Sequence, residues 1–217
     1  MNPDLRRNAC PTIAAPMETG DGLLARLPPL GARDAAAFRA VADAASRFGN
    51  GIVEITARGS IQVRGLSPAT TPGFAATLAA AGIGDARPAV HVPPLAVDPV
   101  IASLAAALRA AIEAAGLGPR LAPKTAVIVD GAGPLPLDGL DGDLRLVLGA
   151  DEVTLAIGGS ATTARVLGRV PVDGALDAAV AVLAAMARLG PAARGRDLDA
   201  PAMAAAIGAA PAETAEA

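Results

Sequence analysis

The sequence predicts an α+β protein with two successive domains. Three observations carry that prediction. Apolar residues switch between a spacing of two and a spacing near 3.6 in the order strand, helix, strand, strand, helix, strand over the first 90 or so positions. A second alternation of helical and strand patterns starts around Asp98. At 217 residues, 53% hydrophobic, the chain can build one large core or two small ones.

The elements follow in order. Residues 22 to 28 (GLLARLP) read as a short strand closed by Pro28-Pro29. Residues 34 to 48 read as a helix, with Asp34 as cap and Phe38, Val41, Ala45 and Phe48 at helical spacing. Gly49-Asn50-Gly51 ends it. Residues 52 to 56 (IVEIT) and 61 to 65 (IQVRG) form a hairpin around a tight 57–60 connection. A helix over about 71 to 81 follows, and a strand near 88 to 92 is expected to complete the unit. This β-α-β-β-α-β order is the ferredoxin-like plan. Helices cover one face of such a sheet and leave the other for a partner.

In the second segment, residues 99 to 115 read as an Ala-rich helix and 125 to 130 as a strand. Residues 144 to 149 and 152 to 157 read as a hairpin, 164 to 170 as a short strand and 173 to 189 as a helix. The expected domains are 1–95 and 96–190, with 191–217 a flexible tail of Ala, Pro, Gly and charge.

Composition excludes several functions. Eighteen basic against 21 acidic residues leave no broad nucleic-acid footprint. The single Cys10 excludes a disulfide framework and any four-cysteine cluster or thiolate zinc site made by this chain alone. With one histidine, His91, no His-rich metal site is expected, and His91 itself reads as structural. No signal peptide and no apolar run of membrane-spanning length is seen, so a cytoplasmic protein without membrane association is expected. Asp138, Asp141 and Asp143 bunch in LDGLDGD but lack the calcium-loop spacing, and a solvated loop is expected. GAG at 131–133 and GGS at 158–160 read as turns rather than phosphate loops.

The hairpin carries the informative polar residues. Side chains alternate along a strand, so Val53, Ile55, Ile61 and Val63 are expected on the core side. Glu54, Gln62 and Arg64 are expected opposite, with Arg58 at the turn. Two readings stand side by side: a solvated sheet face, or a site for an anion or polycarboxylate, since arginine pairs bidentately with carboxylates. Arg7, in RRNACP, is a further candidate donor from the N-terminal arm. Lys124, the one lysine of the chain, is either a cation near a ligand or an exposed residue at a strand start.

The segments RRNACPTIAAPMETGDGLLARL and GNGIVEITARGSIQVRGL resemble the ferredoxin-like half-domain of the nitrite and sulfite reductase superfamily, and within it the precorrin-3B synthase family. The ACP element, the GDGLL strand and the T-x-R-G-x-I-Q-x-R-G signature carry the likeness. LAPKTAVIVDGAGPLPLDGLDGDLRL resembles the start of that family's second domain, so 96–190 is expected to be a partial sirohaem and iron-sulfur reductase-like domain. The resemblance implies that Arg58 matches the arginine facing the distal side of sirohaem, and that Gln62 and Arg64 lie near the tetrapyrrole. It implies that Lys124 matches the first lysine of a Lys-x-Lys element whose second position is Ala126 here. It also implies a carboxylated tetrapyrrole ligand, precorrin or sirohaem, a 4Fe-4S cluster, and oxygen-dependent hydroxylation chemistry in cobalamin synthesis.

The family's cluster cysteines have no counterpart in this sequence. In ARPAVHVPPLAVDP, Ala89 and Pro93 replace the family's Asn and Ser. The expectation is therefore an N-terminal half only, holding no cofactor alone. It would act with a second half-subunit or a homodimer mate, or serve as a non-catalytic tetrapyrrole-binding or partner-binding subunit.

Overall fold

The structure is a computed structural model that describes residues 11–30, 35–57, 59–85, 88–95 and 98–211. The chain divides into two compact units, 1–87 and 88–217. It is an α+β protein: a ferredoxin-like region followed by an α/β region with a mixed sheet.

In the first unit the order is β1 (Met17–Thr19), β2 (Gly22–Leu27), α1 (Ala35–Phe48), β3 (Val53–Ile55), β4 (Ile61–Leu66) and α2 (Thr71–Ala80). The sheet is antiparallel throughout, in the order β1-β2-β4-β3. The hairpin pairs as its alternation requires, Val53 with Val63 and Ile55 with Ile61. Ala25, Leu27, Ile61, Val63 and Leu66 from the sheet meet Val41, Ala44, Ala45, Phe74 and Leu78 from the helices in one core. Ahead of α2, Ser67 and Thr70 bond reciprocally, and Pro72 occupies a first-turn position that needs no N–H. Asp85 accepts from the Ile13 and Ala14 N–H groups at 2.7 and 3.0 Å, tying the start of the described chain to the end of this unit.

Three expectations change here. The strand near 88 to 92 does not complete this sheet; its edge beside β2 is taken by β1, and residues 89–91 join the second unit. Val53 and Ile55 lie in register with the core row yet stay exposed, Ile55 at 73%, because β3 is the outermost strand. Phe38 is 46% exposed, since α1 buries Ala37, Val41, Ala44 and Ala45 instead. Small alanines let the helix sit close to the sheet, and a phenylalanine on that line would hold it off. Asp34, expected as the cap of α1, lies outside the described residues.

The second unit contains β5 (Ala89–His91), α3 (Pro99–Ala114), β6 (Ala126–Gly131), β7 (Gly142–Leu148), β8 (Glu152–Gly159), β9 (Arg165–Pro171), α4 (Ala175–Leu189) and α5 (Ala200–Ala206). The sheet runs β5-β6-β7-β8-β9; the first three strands are parallel and the last two antiparallel. Asp98 caps α3 by accepting from Val100 N at 2.7 Å. Ile101, Leu108 and Ile112 of α3 and Val182, Leu183 and Met186 of α4 pack with Val90, Val127, Val129, Leu144, Leu146 and Leu155. Val90 explains why β5 belongs here: its side chain enters this core, and Arg109 of α3 donates to its carbonyl at 2.7 Å. His91 is half-buried on β5.

The segment from Pro191 is not a frayed tail as far as Pro211. It makes a 3-10 turn over Gly195–Asp197 and the helix α5, capped by Asp199, and returns to the sheet where Arg169 and Ala210 bridge. Met203 and Leu198 are buried in the second core. Polarity and alanine content hid a segment whose larger apolar side chains, Leu198, Met203 and Ile207, pack against the core.

Among the described residues no helix is long and apolar enough to cross a membrane.

Candidate functional site

The helix-free face of the first sheet carries one transverse polar row. The register places Gln62 between Arg26 of β2 and Glu54 of β3. With the Gln62 amide turned to satisfy both neighbours, its nitrogen donates to Glu54 Oε2 at 3.2 Å. Its oxygen then accepts from Arg26 Nη2 at 2.6 Å and Nε at 3.2 Å. Two residues along β4, Arg64 donates from Nε to Glu54 Oε2 at 2.8 Å and from Nη1 to Asp21 Oδ1 at 3.3 Å. Asp21 sits in the β1–β2 turn and accepts from Thr19 Oγ1 at 2.8 Å.

These contacts set the charge states. The Thr19 hydroxyl, more than the Arg64 charge, holds the Asp21 carboxyl below its usual range. The Glu54 carboxylate holds the Arg64 guanidinium more firmly protonated than a free one. A depressed carboxyl keeps its contact at full strength above its ordinary range and loses it as pH falls through the lowered value, so the Asp21–Arg64 contact persists at neutral pH and is lost in acid.

Glycine makes the row possible. Gly65, which ends the R-G of the signature, has φ +69°, and a Cβ there would stand 2.6 Å from the Asn50 side chain. Opposite it, β2 carries an irregularity between Leu23 and Ala25. The bend lets Asn50 and the Asp21 turn approach Arg64: Asn50 Nδ2 donates to Asp21 Oδ2 at 3.3 Å.

Of the residues singled out from sequence, Gln62 and Arg64 are thus neighbours on one face. Arg7, Cys10 and Arg58 lie outside the described residues. Arg26 was missed. The pattern of GLLARLP places it on that face, but only the pairing of β2 with β4 sets it against Gln62. The row is also more neutral than the sequence implies, because Glu54 and Asp21 both pair with Arg64. The guanidinium groups of Arg26 and Arg64 nonetheless each carry five N–H donors, more than these bonds use, so both can still meet a ligand carboxylate.

Lys124 belongs to the second unit and is exposed two residues ahead of β6. Its ammonium makes no ion pair among the described residues. Its backbone is held closely. Arg194 Nη2 donates to the Lys124 carbonyl at 3.3 Å, and the Ala126 N–H donates to Asp143 Oδ2 at 3.0 Å. Asp143 is therefore not in a solvated loop. Buried at the start of β7, it also accepts from Arg194 Nε at 2.8 Å, Arg194 Nη2 at 2.9 Å and Gly195 N at 3.0 Å. Asp138 and Asp141 are exposed. Among the described residues no group of three or more His, Cys, Asp or Glu is placed to hold a metal ion.

Residues 15–81 match the nitrite/sulfite reductase ferredoxin-like half domain. That stretch holds β1 to α2 and the whole polar row. The chain is 42% identical over 207 residues to a precorrin-3B synthase of Sinorhizobium sp., a match covering 90% of this chain and 45% of that protein. The chain thus spans less than half the length of the curated relative it matches. Its fold is similar to the structure of the Mycobacterium tuberculosis NirA protein, with a TM-score of 0.61 and 19% identity over 79% of this chain and 36% of that one. At that identity the likeness is one of fold. The expectation of an N-terminal half only is corrected. Similarity to precorrin-3B synthase runs through nearly the whole chain, whereas the half-domain is confined to residues 15–81.

Proposed function

We propose that the helix-free face of the first unit binds a carboxylated tetrapyrrole, precorrin or sirohaem, and that the chain takes part in precorrin-3B synthase-like oxidoreductase chemistry. The observation that carries this reading is the row of Arg26, Gln62 and Arg64 on one open sheet face, within the segment that matches the reductase half-domain. The donor chemistry fits the ligand class: a porphyrinoid with peripheral carboxylates presents several planar acceptors, and guanidinium groups meet them with paired, charge-assisted bonds. Arg58 and Arg7 are proposed as further donors. Lys124 is proposed as a cation facing an anionic group of the ligand or substrate.

A bound tetrapyrrole would supply the macrocycle on which, or at which, the redox step occurs. The part of this chain is to hold and orient it through its carboxylates. The Glu54 and Asp21 contacts keep Arg64 extended over the face rather than folded onto the strand. The residues do not fit a 4Fe-4S cluster, since the sequence contains one cysteine where four are needed. Cluster-dependent turnover would draw those ligands from elsewhere. Anaerobic reconstitution of the 217-residue chain is expected to give well below one cluster per monomer by iron and sulfide analysis; near-stoichiometric cluster would refute this.

Titration with sirohaem, followed by absorbance, tests the binding face. Replacing Arg58 or Arg64 by alanine is expected to weaken binding about tenfold or more. A charge-assisted bond is worth about 1.5–3 kcal/mol, and about 1.4 kcal/mol is tenfold. Unchanged affinity in both variants would remove the site.

A second reading, a partner-binding subunit without catalysis of its own, is favoured by β3. This outermost strand exposes Val53 and Ile55 beside the exposed Ile52. Unpaired, apolar edge strands are templates for pairing with another chain. Incubation of precorrin-3A with oxygen and a reductant separates the readings: turnover by the chain, alone or with a purified partner, supports an enzyme, and none supports the subunit.

A further inference from the structure

We infer that Asp143 and Arg194 are positioning residues for Lys124, and that the Arg194–Leu198 segment acts as a clip setting where the chain's single lysine amine is presented. The inference rests on the reading of Lys124 as an anion-facing residue. Three observations carry it.

First, the pair grips the backbone on both sides of Thr125. Arg194 Nη2 bonds the Lys124 carbonyl, and Asp143 Oδ2 takes the Ala126 N–H. The Thr125 N–H is itself closed in a turn onto Ala122 O at 2.9 Å. Every peptide adjoining Lys124 and Thr125 on the strand side therefore has a fixed partner, while the Lys124 side chain stays exposed.

Second, the segment that brings Arg194 there is locked from several directions. The Arg194 N–H is itself fixed, donating to Asp197 Oδ2 at 2.8 Å. Arg165 at the start of β9 donates to the Arg196 and Leu198 carbonyls at 2.7 and 2.9 Å. Gly195 lies directly on the Asp143 carbonyl, where a Cβ would collide with backbone. A side chain at this position would lift the segment and carry Arg194 away from Lys124.

Third, the geometry exceeds what anchoring the segment needs. Asp143 and Arg165 already hold residues 195–198 through Gly195 N and three carbonyls. The Arg194 fork adds a contact directed at the residue before Thr125, and the Asp143 hydrogen bond raises the affinity of that guanidinium for its proton.

The test uses the full 217-residue chain, with sirohaem as the probe and amine acylation as the footprint. Lys124 is the only lysine, so an acetylating reagent marks one side chain besides the N-terminus. Peptide mass spectrometry reads that position alone, also in an Arg194→Lys variant. That variant keeps a cation for Asp143 and the fold, but one nitrogen cannot serve both Asp143 and the Lys124 carbonyl. Lys124→Ala is expected to weaken sirohaem about tenfold, Arg194→Lys severalfold, and the double variant no more than Lys124→Ala alone. Sirohaem is expected to slow Lys124 acetylation in the wild type and much less in Arg194→Lys. Wild-type affinity and protection in Arg194→Lys, with a loss in Lys124→Ala, would overturn the positioning role and leave the Lys124 reading standing. Losses that add fully in the double variant would also overturn it. No loss in Lys124→Ala would sink the Lys124 reading itself, and the positioning role with it.

Discussion

Asp143→Ala is expected to destabilise the 88–217 unit by about 3–5 kcal/mol, the cost of breaking a buried ion pair by removing one partner. Asp143 is 2% exposed and accepts from two backbone N–H groups and from two nitrogens, Nε and Nη2, on one edge of the Arg194 guanidinium. Its loss removes four hydrogen bonds at once and leaves Arg194 Nη2 only the Lys124 carbonyl. Thermal unfolding should show a midpoint lowered by about 10 °C or more. Asp143→Asn, which keeps an acceptor but drops the charge, should fall between. A shift within 2 °C or so for the alanine variant, small against that scale, would mean that the clip contributes nothing to this unit.

The second large effect is expected at Asp130 and Arg145, side by side on the face of the second sheet away from α3 and α4. Both side chains are 3% exposed, with Arg145 Nη1 3.8 Å from Asp130 Oδ2. Asp130 accepts from Gly131 N at 2.8 Å and Leu137 N at 2.7 Å; Arg145 Nη2 donates to the Leu137 and Leu140 carbonyls at 3.0 and 2.7 Å. The pair thereby pins the 132–141 connection, which joins two parallel strands without a helix. Burial, partly offset by Asp130, lowers the Arg145 pKa, and its Nε and Nη1 have no hydrogen-bond partner among the described residues. Asp130→Ala leaves that buried guanidinium without its nearest carboxylate and should cost about 3–5 kcal/mol. Arg145→Met leaves a carboxylate still held by two N–H groups and should cost clearly less. Denaturant midpoints for the two variants measure this; equal losses would show that the ion pair matters less than the shared loop contacts.

Strand periodicity made much of this legible. Alternation in VEI and IQVRGL put Gln62 and Arg64 on one side of the hairpin, and the register confirms their common face. Arg26 obeys the same alternation, but its neighbour comes from a strand pairing 36 residues away, and no local pattern names it. The residues 89–91 illustrate the opposite case. Their local pattern is a strand in either unit, and only the choice between two cores decides the sheet they join.

What the amino-acid sequence determined by itself was local: which stretches are helix or strand, which side chains alternate together, and that one cysteine cannot build a cluster. Tertiary structure decided partnership. It neutralised much of the polar row through Glu54 and Asp21, buried Asp143 beneath a segment 51 residues further on, and turned an apparent tail into the clip behind Lys124. The physical reason is that hydrophobic periodicity acts within one element. A charged residue's environment depends on which distant group arrives to share or exclude water, and Asp138 and Asp143, five positions apart in one loop sequence, end exposed and buried accordingly.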